Sequence, residues 1–248
     1  MKIGVEISAY DPASGGIRTM HYLAYLCHRL GHQVDVGGSN TNPAWGMYAQ
    51  RLPCVDFAVV AEARPATAPG SIPIVRWVLF FPGAIGNGPA MYPDHEMVVN
   101  FHPKYRAATE LAAPGRVVME LLLPTIELPG IDEVVDRSLP GVVWVGKGHP
   151  VNVQETVGLP RITRTWPMPR RELILLMKRS KILYSFDPYS AINAEGEMCG
   201  CQVMVWDGKS FQPFNTPNLQ SELMNPERDE KVVAAFIEQV AIHFNLKT

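Results

Sequence analysis

Two carboxylates with seven residues between them, Asp187 and Glu195, are the side chains of this chain best spaced to act together in chemistry. A carboxylate has two acceptor oxygens, so it can hold a vicinal diol such as a ribose through paired hydrogen bonds. The exposed N–H groups at the start of a helix favour the negative charge of a phosphate. A nucleotide sugar offers a diol and a diphosphate together, so this spacing favours a site for such a compound.

The segment around these acids predicts a strand, a turn, a short helix and a second strand. Residues 181–186 form an apolar and aromatic run typical of a buried strand, and residues 201–205 predict the next strand. A helix over residues 191–199 is expected between them, with Ser190 as its N-cap and Gly200 at its C-terminal end. Since such units form parallel crossovers, Asp187 should lie at the carboxyl end of a strand, where α/β sheets bind ligands.

The N-terminus predicts a second unit of the same kind. A strand is expected over residues 2–8, a turn-rich loop ends in Gly15 and Gly16, a helix covers residues 17–30, and a strand follows over residues 33–36. Glycine lets the backbone approach a diphosphate closely. The dinucleotide fingerprint G-x-G-x-x-G is absent from this loop, which argues against a nicotinamide enzyme.

Residues 187–203 resemble the donor-binding motif of retaining GT-B glycosyltransferases of the group 1, family-4 type, which reads roughly E-P-F-G-x-x-x-x-E-A-M-A-x-G-x-P-V. The chain keeps the spacing, the proline, the aromatic residue, the second acid, the glycine and the last valine. It has Asp187, Ser190 and Gln202 where the motif has glutamate, glycine and proline. Residues 1–36 are similar to the opening of the same family, with its Gly-Gly loop and its G-H-x-V segment.

The resemblance implies a metal-independent hexosyltransferase of polysaccharide biosynthesis that needs no cofactor. It would move a sugar, with retention, from a nucleotide-sugar donor to a glycan or a lipid-linked glycan. Glu195 would hold the ribose, Asp187 would orient the sugar or its phosphates, Lys147 would contact the diphosphate, and His102 would approach the donor sugar. The other donor-binding residues that we expect are Gly15, Gly16, Arg18, Gly146, Tyr189, Ser190 and Ala191.

The expected fold is α/β, with two Rossmann-like lobes and mostly parallel sheets, GT-B-like but small for that class. We expect an N-terminal acceptor lobe over residues 1–138, a donor lobe over residues 139–226, and a C-terminal helix over residues 227–248 that packs back on the first lobe. Val232, Phe236, Val240 and Phe244 should share the buried face of this helix. Further strands are expected at residues 55–60, 74–81, 96–101, 117–123 and 141–147. The second lobe continues through residues 161–166 to a further helix at residues 170–179.

Composition agrees with a globular protein and excludes several classes. The 248 residues are 47% hydrophobic, and 22 basic against 24 acidic residues leave no basic excess for nucleic acid. No apolar run is long enough to span a bilayer and no secretory signal is evident, so we expect a cytoplasmic protein for which peripheral membrane contact stays open. The four cysteines lack the paired spacing of a zinc site.

Two other classes of function stay open. A sugar-nucleotide epimerase shares the two-lobed fold but needs further acid/base groups, for which His21, His102 and Glu120 are the candidates. A non-catalytic, nucleotide-sugar-binding relative is favoured by the change to Asp187 and by the absence of a lysine between residues 147 and 178. The residues that could replace this lysine are Arg18, Arg161 and Arg164. The base, the sugar, the acceptor and the oligomeric state do not follow from the sequence.

Overall fold

The computed structural model describes residues 1–37, 40–47, 51–129, 131–163, 165–167 and 169–247. The chain divides into two compact units. The first contains Met1–Asp11, Gly16–Leu123 and Asn225–Thr248, and the second contains Pro12–Gly15 and Pro124–Met224. No described helix combines the length and the apolar character that crossing a membrane requires.

The first unit is built on a six-stranded parallel sheet in the order β2-β1-β3-β4-β5-β6. Three helices belong to it, and two of them begin and end close to the expected positions. The strands are β1 (Lys2–Glu6), β2 (Gln33–Asp35), β3 (Phe57–Ala61), β4 (Ile74–Val78), β5 (Met97–Asn100) and β6 (Val117–Glu120), and the helices are α1 (Gly15–Arg29), α2 (Arg106–Ala112) and α5 (Pro226–Phe244).

The central strands of the first sheet are buried along almost their whole length, as is usual for parallel sheets. One charged pair lies among them: the Arg76 guanidinium donates to both Glu96 oxygens, at 2.9 and 2.7 Å, and both side chains are buried. The same guanidinium donates to the carbonyl oxygens of Ala61 and Arg64. These contacts satisfy charges whose burial would otherwise be costly.

A Gly/Pro-rich loop over residues 82–93 connects β4 to β5 in place of a helix. The backbone N–H groups of Asn87 and Gly88 donate to the Ala63 carbonyl, at 3.2 and 3.1 Å. A Cβ added at Gly88 would lie 1.8 Å from the Glu62 carbonyl oxygen, so only glycine permits this approach. The loop is therefore fixed against the carboxyl end of β3.

The second unit contains a five-stranded sheet in the order β11-β10-β9-β7-β8, parallel except for the last pair, β10 and β11. Its apolar core joins the sheet to two helices. The strands are β7 (Leu139–Trp144), β8 (Arg161–Ile162), β9 (Ser180–Ser185), β10 (Gln202–Trp206) and β11 (Phe211–Pro213), and the helices are α3 (Arg170–Arg179) and α4 (Ile192–Met198).

The two sheets share one strand order. In each, the first strand of the unit lies between the second and the third, and the later strands follow on the side of the third. The order therefore reverses between β1 and β3 in the first unit and between β7 and β9 in the second. Such switch points form a crevice at the carboxyl ends of the strands.

The expected α/β class with two mostly parallel sheets is confirmed. The segment 124–138 groups with the second unit, whereas we expected the division at residue 138. Arg137 explains this difference, because its guanidinium donates to the carbonyls of Ser180 and Cys199. The ammonium of Lys178 further holds the carbonyls of Ile131 and Glu133.

The start of α4 differs from the expectation, whereas its C-terminal end agrees with it. The expected N-cap, Ser190, is wrong: the helix begins at Ile192, and Ala191 at the cap position offers no side-chain acceptor. At the other end Gly200 has a φ of +80°. Its N–H donates to the Glu197 backbone carbonyl, and the Cys201 N–H donates to the Gly196 backbone carbonyl. This is a Schellman motif, so the glycine ends the helix as expected.

The buried face of α5 also differs from the expectation. Of the four residues expected to be buried, Phe236 and Val240 are buried, whereas Val232 is 37% exposed and Phe244 is partly exposed. An α-helix has 3.6 residues per turn, so a row of every fourth residue drifts around its axis and leaves the core. The buried apolar residues are Val233, Phe236, Ile237, Val240 and Ala241.

Candidate functional site

The carboxyl ends of β7 and β9 meet through the side chain of Asp187. Its Oδ2 atom accepts the Lys147 backbone N–H at 3.0 Å, and its Oδ1 atom accepts the Tyr189 backbone N–H at 3.1 Å. The carboxylate is buried, at 4% exposure. Asp187 thus joins the turn after β7 to the turn after β9, directly at the switch point of the second sheet.

Gly146 is required at this contact. Its φ is +55°, and a Cβ at this position would lie 2.5 Å both from Asp187 Oδ2 and from Trp144 Nε1. Any side chain would therefore separate the two turns. The glycine that we expected to contact the donor acts here by letting Asp187 reach the Lys147 backbone.

The turn after β9 is held by two side chains that the sequence analysis missed. The Asp187 carbonyl oxygen accepts the Asn193 amide at 2.9 Å and the Ser185 hydroxyl at 3.1 Å. The Ser190 backbone N–H donates to the same oxygen at 3.3 Å. A signal for Asn193 was present, because an asparagine on the buried side of a short helix needs a partner.

Two buried polar atoms beside this turn have no hydrogen-bond partner among the described residues. They are the Trp144 indole nitrogen, which is a donor, and the Asn193 amide oxygen, which is an acceptor. Buried polar groups are normally paired. An unpaired donor and acceptor next to Asp187 are compatible with a site that binds a hydroxyl-bearing ligand.

Glu195 lies on α4 and forms a buried ion pair. Its Oε1 atom is 2.5 Å from Arg170 Nη2, and the two side chains are 2% and 10% exposed. Arg170, at the start of α3, also donates to the Glu127 carbonyl. The second acid of the motif is thus fixed by a cation from the neighbouring helix, which the sequence pattern did not indicate.

His102 lies in the first unit, directly after β5. Its Nδ1 atom accepts the Lys104 backbone N–H at 3.1 Å, and the Asn100 amide donates to the His102 carbonyl at 2.7 Å. Burial lowers the pKa of His102, and the nearby Lys104 lowers it further. The imidazole is therefore neutral near pH 7, with its proton on Nε2 as a hydrogen-bond donor.

The remaining expected residues are distributed over both units. Gly15 and Gly16 open α1, and Arg18 is buried on the same helix. The backbone of Tyr189 takes part in the turn of Asp187, and its ring is exposed. Lys147 is solvent-exposed at the turn after β7. Arg164, one of the cations considered in place of the missing lysine, lies outside the described residues.

The residues considered for an epimerase lie in the first unit. His21 is fully buried, its Nε2 atom donates to the Ser8 carbonyl at 2.9 Å, and burial lowers its pKa. Glu120 lies 3.6 Å from Arg106 in a partly exposed ion pair. The ion pair accounts for the Glu120 carboxylate, whereas the buried His21 Nδ1 atom has no hydrogen-bond partner among the described residues.

The chain matches no protein-family model, and no curated protein is similar to it.

Proposed function

We propose that this protein binds a nucleotide sugar at the carboxyl edge of the second sheet and transfers its sugar, with retention, to a glycan or lipid-linked glycan. The observation that carries the proposal is the contact of Asp187 with the Lys147 N–H across the switch point between β7 and β9. It supports the proposal because Lys147 and Asp187, 40 residues apart in the sequence, meet where α/β sheets bind ligands.

Each group has a role in the proposed reaction that follows from its chemistry. The Lys147 ammonium would neutralise charge on the departing diphosphate, which is the main charge that develops in the transition state. Asp187 accepts one N–H at each oxygen, and the lone pairs that remain can accept sugar hydroxyls. Glu195 would hold the ribose with the acceptor capacity that Arg170 leaves.

A panel of nucleotide sugars tests this proposal, with binding and slow hydrolysis of the donor as the two readouts. We expect Asp187→Asn and Glu195→Gln each to weaken binding of one selected donor by at least tenfold. Glutamine is the better substitution at position 195, because its amide oxygen can still accept a hydrogen bond from the buried Arg170 guanidinium, whereas alanine offers no acceptor.

The matched control is Glu172→Gln, which alters an exposed acid on α3 in the same unit. This variant should bind the donor like the unchanged protein. Failure of the unchanged protein to bind any nucleotide sugar would contradict the proposal. Equal loss of binding in Glu172→Gln would show that the effect is not specific to the site.

A second candidate is a nucleotide-sugar-binding protein without turnover. The buried Glu195–Arg170 pair favours it, because an acid held by a cation has less capacity left for a ligand. Selective binding combined with neither hydrolysis nor transfer to any supplied acceptor would support this candidate over the transferase.

A further inference from the structure

The two α-helices described in the second unit, α3 and α4, pack on the same face of its sheet. The core formed by α3 and α4 includes Val142, Leu183 and Val203 from neighbouring strands. Those three residues lie on one face, since Leu183 pairs with both of the others. Parallel sheets normally have both faces covered by helices. Between β7 and β8 the chain has only a loop with one short 3₁₀ turn, Gln154–Thr156, so within the described part of the second unit neither α3 nor α4 covers the opposite face.

The opposite face carries an aromatic cluster over its last three strands. Tyr184 pairs with Met204, and Trp206 pairs with Phe211, so their side chains share this face. The Phe211 ring contacts the rings of Tyr184 and Trp206 edge-on, with centroids 4.9 and 5.2 Å apart. The Phe186 ring packs against the Phe211 ring, with the two centroids 5.3 Å apart. We call the surface formed by Tyr184, Trp206 and Phe211 the aromatic face.

The rings of the aromatic face are held in place but stay partly exposed. A side chain at Gly141 would contact the Tyr184 ring at 3.2 Å, so glycine lets this ring lie close to β7. The Tyr184 hydroxyl and the Trp206 indole N–H form no hydrogen bond with any described residue. Burial and the nearby Glu155 carboxylate raise the pKa of the Tyr184 hydroxyl, so this hydroxyl stays protonated as a hydrogen-bond donor.

The size of the aromatic face decides against a protein partner. The aromatic face is roughly 10 Å wide, because it covers three strands about 4.8 Å apart. It is roughly 14 Å long, because each strand contributes two side chains about 7 Å apart, so its area is about 140 Å². A stable protein interface needs about 800 Å² on each partner. A ligand that spans a few small rings fits this surface, whereas a second copy of the chain would require much more.

The chemistry of the aromatic face indicates the class of ligand. Aromatic rings offer apolar faces, while the tips of Tyr184 and Trp206 offer hydrogen bonds. Gln202, exposed on the same face, adds an amide. An acyl chain would leave these polar groups unpaired. No lysine or arginine is among these residues to attract a phosphate. A sugar ring presents C–H groups on its face and hydroxyls at its rim, which matches this arrangement.

We propose that the aromatic face binds a neutral oligosaccharide, at a site separate from the one proposed for the nucleotide sugar. The ring faces of Trp206 and Tyr184 contact the apolar faces of the sugars, and their polar tips bond to hydroxyls. The site does not depend on Asp187 or Glu195.

The test uses the full chain with three probes: maltohexaose, cellohexaose and xylohexaose. We expect at least one of them to shift the Trp206 indole N–H resonance saturably, and to leave the Trp166 indole unshifted. Trp206→Ala should weaken binding by at least tenfold, measured by calorimetry, and Tyr184→Phe several-fold, because only its hydroxyl is removed. Trp206→Phe keeps an aromatic ring if the alanine variant does not fold, and should weaken binding less than Trp206→Ala.

The matched control is Trp166→Ala, which removes a tryptophan that is 47% exposed and lies outside the aromatic face. It should bind oligosaccharides normally. The proposal is overturned if none of the probes binds, if Trp166→Ala weakens binding equally, or if the protein self-associates and Trp206→Ala abolishes this association. Asp187→Asn should retain oligosaccharide binding, so failure of the donor-site proposal is distinguishable from failure of this one.

Discussion

The two units share a strand order but place the acid of the third strand differently. In the first unit Glu62, directly after β3, accepts the Leu79 N–H at 2.9 Å. This bond joins Glu62 to the end of β4, which lies on the other side of β3 from the switch point. In the second unit Asp187, two residues after β9, accepts the Lys147 N–H across the switch point. The two carboxylates thus differ by one residue in their distance from the end of the strand, and they bond to neighbouring strands on opposite sides.

The interiors of the two units differ as well. The first sheet buries the Arg76–Glu96 pair among its central strands. The second sheet has an apolar core on its helical face and partly exposed rings on the other. Loss of a charge should therefore destabilise the first sheet itself, whereas the buried ion pair of the second unit, Arg170 with Glu195, lies on the helices α3 and α4.

The largest effect is expected for Arg76→Met. It should lower the free energy of unfolding by about 3–5 kcal/mol, because Glu96 would remain as an unpaired buried charge. Urea denaturation measures this change. Arg171→Met, which removes the exposed pair with Glu133, should cost less than about 1 kcal/mol. If Arg76→Met is as mild as this control, the buried pair does not stabilise the first unit.

The second largest effect is expected for Gly146→Ala, with Gly158→Ala as its control. Both glycines have a positive φ, so each substitution should cost about 1–2 kcal/mol. Position 146 adds a clash with Asp187 and Trp144, worth about 1–3 kcal/mol, whereas position 158 is open. Thermal unfolding together with nucleotide-sugar titration measures both consequences. Equal stability and equal binding in the two variants would contradict the role given to Gly146.

The smallest effect concerns pH. Burial lowers the pKa of His21 below its ordinary value of 6.5, so the unfolded chain binds more protons than the folded chain below about that pH. Stability should therefore fall as the pH decreases from about 7 to 5, by up to about 1.4 kcal/mol per pH unit from this group. His21→Gln keeps a donor for the Ser8 carbonyl and should flatten the slope. An unchanged slope, measured by urea denaturation at several pH values, would show that other groups cause the dependence.

Several parts of the fold were predictable from local patterns. The helix at residues 170–179 and the strands around the motif follow from their apolar periodicity, and Gly200 follows from the need for a left-handed residue at a helix end. Helix α2 and strand β11 were missed. They have seven and three residues, too few for a periodic pattern to stand out.

The candidate site was predictable only in part. Asp187, Gly146 and Lys147 were identified from spacing and from the family resemblance, and the structure brings these three together. The partners that decide their chemistry could not be inferred. Arg170 lies 25 residues before Glu195. Asn193 donates to the Asp187 carbonyl, and this contact depends on a turn whose shape the fold determines. Contacts between distant segments leave no local signal in one sequence.

The sequence by itself determined the α/β class, most of the elements and the position of Asp187 at the end of a strand, because periodicity and turn residues act over a few positions. Only the tertiary structure decided that Asp187 bridges two turns, that Glu195 is paired, and that one face of the second sheet carries exposed aromatic rings. Those features depend on strand order and on the packing of helices, which residues distant in the sequence determine together.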